Sequence, residues 1–373
     1  MALLLPRVRR LTLANFRSYT QARCEIDGAL VVLVGENGAG KTNVLEALSM
    51  FSAGRGLRRA DLAECARHDG DGGYAVSIEL ASDDATAQLG HGLAADGERQ
   101  FRIERAPVSS ARAFADHLRV LWLTPAMDGL FAGPAGDRRR YLDRLALGVD
   151  ADHGGRVSRL ERALRNRNRL LEEGVADRRW LDAAELEIAA LGVAVAAARR
   201  ETVSRLQTII AAGREGPFPW AVIAIDGEVE TRLAEAPALA VEEWFRDALA
   251  ATRRRDAAAG RTLTGPQTSD LAVRHGPRDV AARDCSTGEQ KALLMGLTLA
   301  HARLVAAMTG RAPLVLLDEV AAHFDPKRRA ALYDELEKLG GQVWMTGADP
   351  ALFETLMGRA TMLSVTSGRI ERV

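Results

Sequence analysis

Gly35-Glu36-Asn37-Gly38-Ala39-Gly40-Lys41-Thr42 satisfies the spacing G-x-x-x-x-G-K-[ST]. These residue types suit one chemistry, the holding of a nucleotide's phosphates. Glycines let the backbone wrap closely around an anion. The loop amides and a following helix N-terminus then supply the donors. Lys41 is the group expected to reach the β- and γ-phosphates, and the Thr42 hydroxyl the group expected to hold Mg²⁺. Far downstream, Pro313-Leu314-Val315-Leu316-Leu317-Asp318-Glu319 is an apolar run that ends in two acids. A buried parallel strand delivers its last carboxylate to the C-terminal edge of its sheet, where open α/β folds bind ligands. Asp318 would hold Mg²⁺, directly or through water. Glu319 would orient or deprotonate an attacking water. The groups predicted to bind are therefore a nucleotide and Mg²⁺.

The flanking elements fit. Residues 30–34 form a short apolar run suited to a buried strand, and residues 43–50 carry apolar side chains at helical spacing. The glycine loop thus lies between a strand and a helix, as its mechanism needs. Ser286-Thr287-Gly288-Glu289-Gln290-Lys291 precedes an apolar helix, and Ser286 with Glu289 makes an S-x-x-E capping box. This stretch also resembles the signature motif of ABC-type ATPases. In that class the motif meets the γ-phosphate of ATP held by the opposite subunit, which would make Ser286 and Gly288 nucleotide-binding residues.

Length and composition bound the rest. A chain of 373 residues predicts one large or two moderate domains, and 47% hydrophobic residues support a substantial core. Residues 2–5 are too short for a signal-peptide core and follow no basic residue. No apolar run reaches the ~18 residues of a membrane span. Cys24, Cys65 and Cys285 are too widely spaced for a disulfide framework or metal motif. The chain reads as soluble and cytosolic. Fifty basic and fifty acidic residues cancel, which excludes a globally basic nucleic-acid binder. Only Lys41, Lys291, Lys327 and Lys338 are lysines, so local arginine clusters are what matters.

Strands are expected over residues 8–14 and 22–26, which could start one sheet with 30–34. Half-buried strands are expected at 74–80, 100–104 and 119–123. Near residue 136 the pattern turns helical. Residues 137–147 read as a helix, broken at Gly154-Gly155. Val157, Leu160, Leu164 and Leu171 then follow a heptad seam, with Arg167 between the last two. The seam resumes after Gly174 at Leu181, Ala184, Ile188, Leu191, Val195 and Ala198. This fits either an antiparallel coiled-coil hairpin or two bundle helices. A strand over 220–225, a helix over 241–251, a loop over 253–260 and a return to the sheet at 269–273 complete the reading.

Lys41 and Asp318 stand 277 residues apart. A gap that long, bridged by a helical hairpin, resembles the split head of SMC-like ATPases. More specifically, the chain resembles the RecF family of bacterial recombination and replication repair, over about residues 11–346. Leu11-Thr12-Leu13-Ala14-Asn15-Phe16-Arg17-Ser18-Tyr19 is similar to its opening strand, and Gly40-Lys41-Thr42-Asn43-Val44-Leu45-Glu46-Ala47 to its G-K-T-N-x-L-E-A run. Residues 138–143 match R-R-x-[FY]-L-D, and Arg167-Asn168 its R-N pair. Gly265-Pro266 and Asp270-Leu271 resemble its G-P-H-x-x-D-L segment, with Gln267 in place of His and Ser269 where Asp is frequent. Other departures are an Asp-Glu rather than Asp-Asp pair at 318–319, Ala-Ala-His-Phe-Asp at 321–325, and Thr346 where transporter ATPases carry the switch histidine. No Q-loop glutamine can be placed.

The resemblance implies an α/β fold. It would be a P-loop ABC-type ATPase head with a mixed sheet, split by a helical, short coiled-coil-like arm. The expected bounds are head 1–135, arm 136–255 and head 256–373. It implies a weak DNA-dependent ATPase that dimerises on ATP, holds duplex or gapped DNA, and helps load RecA with RecO and RecR. Arginines cluster at residues 7–10, 55–59, 138–140, 165–169 and 253–255. A single cluster is more often a solvated or ion-paired face. Arg55, Arg58 and Arg59, in the loop after the P-loop helix, are the DNA contacts chosen. Two other readings compete: the nucleotide-binding subunit of a membrane transporter, and an SMC-like structural tether. The first needs a Q-loop and switch histidine, and the second a coiled coil longer than the roughly 60 residues the heptads allow.

Overall fold

Packing divides the chain into two units. The head comprises Met1–Asp128, Gly213–Pro219 and Ser286–Val373; the arm comprises Gly129–Ala212 and Trp220–Cys285. The structure, a computed structural model, describes residues 3–82, 85–174 and 178–373. The start of the 2–5 segment, and the side chain of His323, lie outside what is described.

Leu30–Val34 is Leu-Val-Val-Leu-Val, buried at every position. A strand apolar on both faces belongs inside a parallel sheet covered on both sides, and this one is central. The order is Arg369–Arg372, Ala360–Thr366, Leu30–Val34, Val343–Gly347, Leu314–Leu317, Val120–Leu123. All neighbours run parallel except Arg369–Arg372, so the sheet is mixed as expected. Residues 119–123, read as a half-buried strand, instead form the fully buried Val120–Leu123 beside Leu314–Leu317.

A second sheet of the head is antiparallel throughout, in the order Tyr19–Glu25, Arg7–Phe16, Tyr74–Ser82, Ala85–Leu93, Arg99–Ile103, Ala106–Pro107. The first two strands therefore do not share a sheet with Leu30–Val34. Their alternating apolar residues bury one face only, which suits an antiparallel layer with one wet side. Side chains of both sheets and of the helix Lys41–Ser49 join in one core.

The helix Thr287–Thr309 is long and apolar enough to cross a bilayer, but most of its apolar side chains are buried within the protein. Its capping box is formed reciprocally by Ser286 and Glu289, and Gly310 ends it in the left-handed conformation.

The arm has its own core. Helices His153–Glu172 and Arg178–Ala212 carry the predicted seam, with Leu160, Leu164, Leu181, Ala184, Ile188, Leu191 and Val195 buried. The break before the first lies at Asp150–Asp152; Gly154 and Gly155 are inside the helix. At Gly192 a Cβ would meet the Phe245 ring at 2.7 Å, so glycine permits close approach of the helix Ala238–Ala259. Arg167 is no seam residue. Wholly buried, it donates to Glu185, Asp256, the Thr262 hydroxyl and the Leu249 carbonyl. That network accounts for one misread segment. Residues 253–260, expected as a loop, continue the helix to Ala259, because Arg253 pairs with Asp182 and Glu185 and Asp256 with Arg167.

The expected boundary at 256 also moves. Asp270–His275 does not return to the head sheet. It pairs along its length with Ala221–Asp226, and Val280–Ala281 adds a third strand, so the arm runs to Cys285. Residues Gly213–Pro219 instead belong to the head, where Phe218 packs edge-on against Phe324 and Pro219 lies over Gly296.

Candidate nucleotide-binding site

Strand order builds the site. The strand Val343–Gly347 lies between Leu30–Val34 and Leu314–Leu317. All three run parallel, so the loop at 35–40, the acids at 318–319 and Thr346 reach one edge of the sheet.

The loop leaves the strand at Gly35, where an added Cβ would lie 2.2 Å from the Val365 carbonyl oxygen. Gly40 takes φ 110° immediately before the helix Lys41–Ser49, a conformation that requires glycine. Glu36, Asn37 and Gly38 are exposed, and Ala39 is half-buried. The Tyr19 hydroxyl donates to the Gly40 carbonyl at 3.0 Å. The buried ammonium of Lys41 donates to the carbonyls of Gly35 at 2.8 Å and Glu36 at 3.0 Å, and lies 3.5 Å from Glu319 Oε1.

Thr42 Oγ1 donates to Asp318 Oδ1 at 2.9 Å, joining residues 276 positions apart. Asp318 is buried, and Thr346 Oγ1 donates to the same oxygen at 2.8 Å. The amide of Glu319 donates back to Thr346 Oγ1 at 2.9 Å. Glu319 itself is in the left-handed region, φ 54°, an uncommon state for a side-chain-bearing residue and one that concentrates at functional sites. A hydroxyl and a carboxylate are hard oxygen donors of the kind Mg²⁺ takes, so Thr42 and Asp318 would suit that ion.

Ser286 and Gly288 are exposed at the start of the helix Thr287–Thr309. The Ser286 hydroxyl exchanges hydrogen bonds with Glu289 alone among the described residues. Among the described residues no hydrogen bond joins either to the loop at 35–42 of the same chain. Lys291 pairs with Asp128 at 2.9 Å.

Among the arginines chosen for DNA, Arg58 is engaged elsewhere. Its Nη1 donates to Asn43 Oδ1 and Glu46 Oε2, each at 2.7 Å. Glu46, 2% exposed, also accepts two bonds from Arg17. Arg55 and Arg59 are exposed and line a cavity beside the P-loop helix. In the other clusters, Arg10 pairs with Glu25 and Glu79, Arg138 with Asp270, and Arg140 with Asp137.

Sequence reasoning had no role for Thr346 beyond noting a missing histidine, and none for Glu46 beyond its place in a motif. A signal for Glu46 existed: an acid on a helix whose other face is apolar, with arginines at 17 and 58 in flanking segments.

A mixed, mostly parallel sheet with a glycine loop, an acidic strand end and a capped signature helix defines the class: an ATP-binding, ABC/SMC-like P-loop ATPase head. The RecF/RecN/SMC N-terminal domain family matches residues 7–370. The chain is 52% identical over 367 residues to the DNA replication and repair protein RecF of Mesorhizobium japonicum, covering 97% of each chain. It is 50% identical over 365 residues to the protein of that name from Rhizobium meliloti, again covering 97% of each. The chain therefore belongs to the RecF family of DNA replication and repair proteins. Its fold is similar to the solved structure of the recombination mediator protein RecF-ATPrS in the RecFOR pathway, with TM-score 0.89, 20% identity, and 100% and 99% of the two chains covered. It is more distantly similar to the Smc head of Pyrococcus furiosus bound to the C-terminal domain of ScpA, with TM-score 0.54, 14% identity, and 99% and 96% covered.

Proposed function

We propose that this chain is an ATP-driven DNA clamp of recombinational repair, in which two copies close on ATP, hold DNA beside a single-stranded gap, and open when the nucleotide is hydrolysed. The observation that carries the reading is the convergence of Lys41, Thr42, Asp318 and Glu319 at one sheet edge. Lys41 exchanges its contacts with the Gly35 and Glu36 carbonyls for phosphate oxygens. The amides of residues 35–42 enclose the remaining phosphate oxygens. Thr42 and Asp318 hold Mg²⁺, which neutralises developing phosphate charge. Glu319, held 3.5 Å from Lys41, orients or deprotonates the attacking water once the lysine has moved to phosphate.

Ser286 and Gly288 act in the partner's site. Exposed, with a helix N-terminus behind them, they offer donors and dipole to a terminal phosphate. This explains why they need not meet their own chain's loop. DNA is held through phosphate contacts, with Arg55 and Arg59 the foremost candidates and Arg58 tied to Glu46, so affinity falls with salt and carries little base preference. The activity is a weak, DNA-dependent ATPase of the cytoplasm, acting with RecR and RecO to load RecA.

Sedimentation with no nucleotide, ADP and ATP, each with and without gapped DNA, tests the reading. Dimers with ATP alone, lost in Lys41→Ala and in Ser286→Arg, are expected. Unchanged pairing of either variant overturns the clamp. The transporter reading has no support from the family. The tether reading is disfavoured by the arm, whose longest helix, Arg178–Ala212, has 35 residues.

A further inference from the structure

A cavity of about 160 Å³ opens beside the P-loop helix, separate from the phosphate loop, between the 54–62 segment and the antiparallel sheet. Its wall includes Tyr74, His91 and Phe101, and its mouth Arg55, Arg59 and Arg99. Among the described residues Arg55 and Arg99 have no ion-pair partner, and both are exposed. Glu46, also in the wall, is neutralised by Arg17 and Arg58; Asp61 adds one further carboxylate, against the three arginines, so the lining is left net positive.

The Tyr74 hydroxyl is buried without a hydrogen-bond partner. His91 is in edge contact with Phe51 and Tyr74, and its Nε2 bonds the Ala47 carbonyl. Nε2 must therefore carry the proton, and Nδ1 keeps a free lone pair. Gly92 admits no side chain, since a Cβ would lie 2.5 Å from the Tyr74 carbonyl. The wall is thus rich in aromatic rings set edge to face and carries single polar atoms, and the rim is mostly guanidinium.

We infer that this cavity receives one nucleotide, its base between the aromatic wall and the 54–62 segment and its phosphate on Arg55 and Arg99. A base has a flat face for Tyr74, His91 or Phe101, and polar edges that supply the partner the Tyr74 hydroxyl lacks. Stacking of this kind accepts any base, and guanidinium forks match phosphate. The nucleotide is an unstacked one from the single-stranded part of bound DNA, in which respect the inference rests on the DNA-binding reading. A free nucleoside monophosphate has the same chemistry.

The test uses the full chain with its P-loop saturated with ADP. One arm titrates a gapped duplex carrying 2-aminopurine in the gap and follows its fluorescence. The other titrates deoxyadenosine monophosphate by calorimetry. Quenching in the first arm, weakened about tenfold in Arg99→Ala and several-fold in Tyr74→Phe, with ATP affinity unchanged in both, supports the site and DNA as its source. Binding of the monophosphate alone, lost in the same variants, supports the site with a free nucleotide as occupant. DNA binding that is intact and unquenched, with no monophosphate binding, overturns the site and leaves the DNA reading standing. Absence of all DNA binding overturns that reading, and the monophosphate arm still decides the cavity.

Discussion

Thr346 Oγ1 lies 2.8 Å from Asp318 Oδ1 and 2.9 Å from the amide nitrogen of Glu319. One hydroxyl therefore fixes both members of the acidic pair, from a strand lying between theirs and the phosphate loop's. Replacing it with valine leaves the Glu319 amide unpaired and Asp318 short of a donor. Loss of a charged, buried hydrogen bond costs about 1.5–3 kcal/mol, so Thr346→Val should lower kcat about 10- to 100-fold with little change in ATP affinity. Thr346→Ser should keep most activity. Single-turnover ATP hydrolysis beside equilibrium ATP binding checks the pair.

Glu319 is set in the left-handed region and faces Lys41. Glu319→Gln keeps shape and removes basicity. It should retain ATP-dependent dimers and slow hydrolysis by at least about 100-fold, the scale of a general base. Size-exclusion chromatography after prolonged incubation with ATP should show dimers that persist where those of the parent protein decay.

Glu46 gathers Arg17 and Arg58 at the base of the P-loop helix. The hydrogen bonds that Arg17 donates to the Glu46 carboxylate hold its guanidinium above its usual range, against the opposing effect of burial. Because Arg58 is well exposed and Arg17 partly so, the effect on stability is discounted for solvent screening. Glu46→Ala should cost about 2 kcal/mol, below the value for a fully buried pair. Urea denaturation of the head measures it. The same substitution frees Arg58, so DNA affinity should hold or rise while stability falls.

In the arm, Arg167→Leu takes from the buried carboxylate of Asp256 its close cationic partner and leaves Glu185 with Arg253 alone. Removing one partner of a buried network typically costs 3–5 kcal/mol, whatever the intrinsic worth of the pair. Thermal unfolding should show the arm melting first, with ATP binding by the head retained.

His91 gives stability an acid limit. Burial pushes its imidazole down to about 4, with the bond to the Ala47 carbonyl partly opposing the shift. The folded state thus takes up this proton less readily than the unfolded chain, whose histidine titrates near 6.5. Stability is fully present above about pH 6.5 and falls as pH drops toward 4, by about 3 kcal/mol at most from this group. His91→Gln should flatten the difference between pH 7 and 5 in urea midpoints relative to the parent protein.

The phosphate loop, the acidic strand end, the capping box and the heptad seam were all legible in the sequence. Each is written in consecutive residues or at a fixed helical period, and local geometry fixes its meaning. The same locality failed elsewhere. Residues 253–260 look like a charged loop until Glu185 and Asp256 supply the ion pairs that make them a helix. Residues 269–273 look like a strand of the head until Ala221–Asp226 appears beside them.

What the sequence determined by itself is the phosphate chemistry and the class of fold, because glycine conformation, strand burial and helix capping act between near neighbours. What only the tertiary structure decided is which distant side chains complete that chemistry. Thr346 on Asp318, Arg17 on Glu46 and the aromatic wall around Tyr74 all depend on strand order, and strand order is set by packing across the whole head rather than by any segment of it.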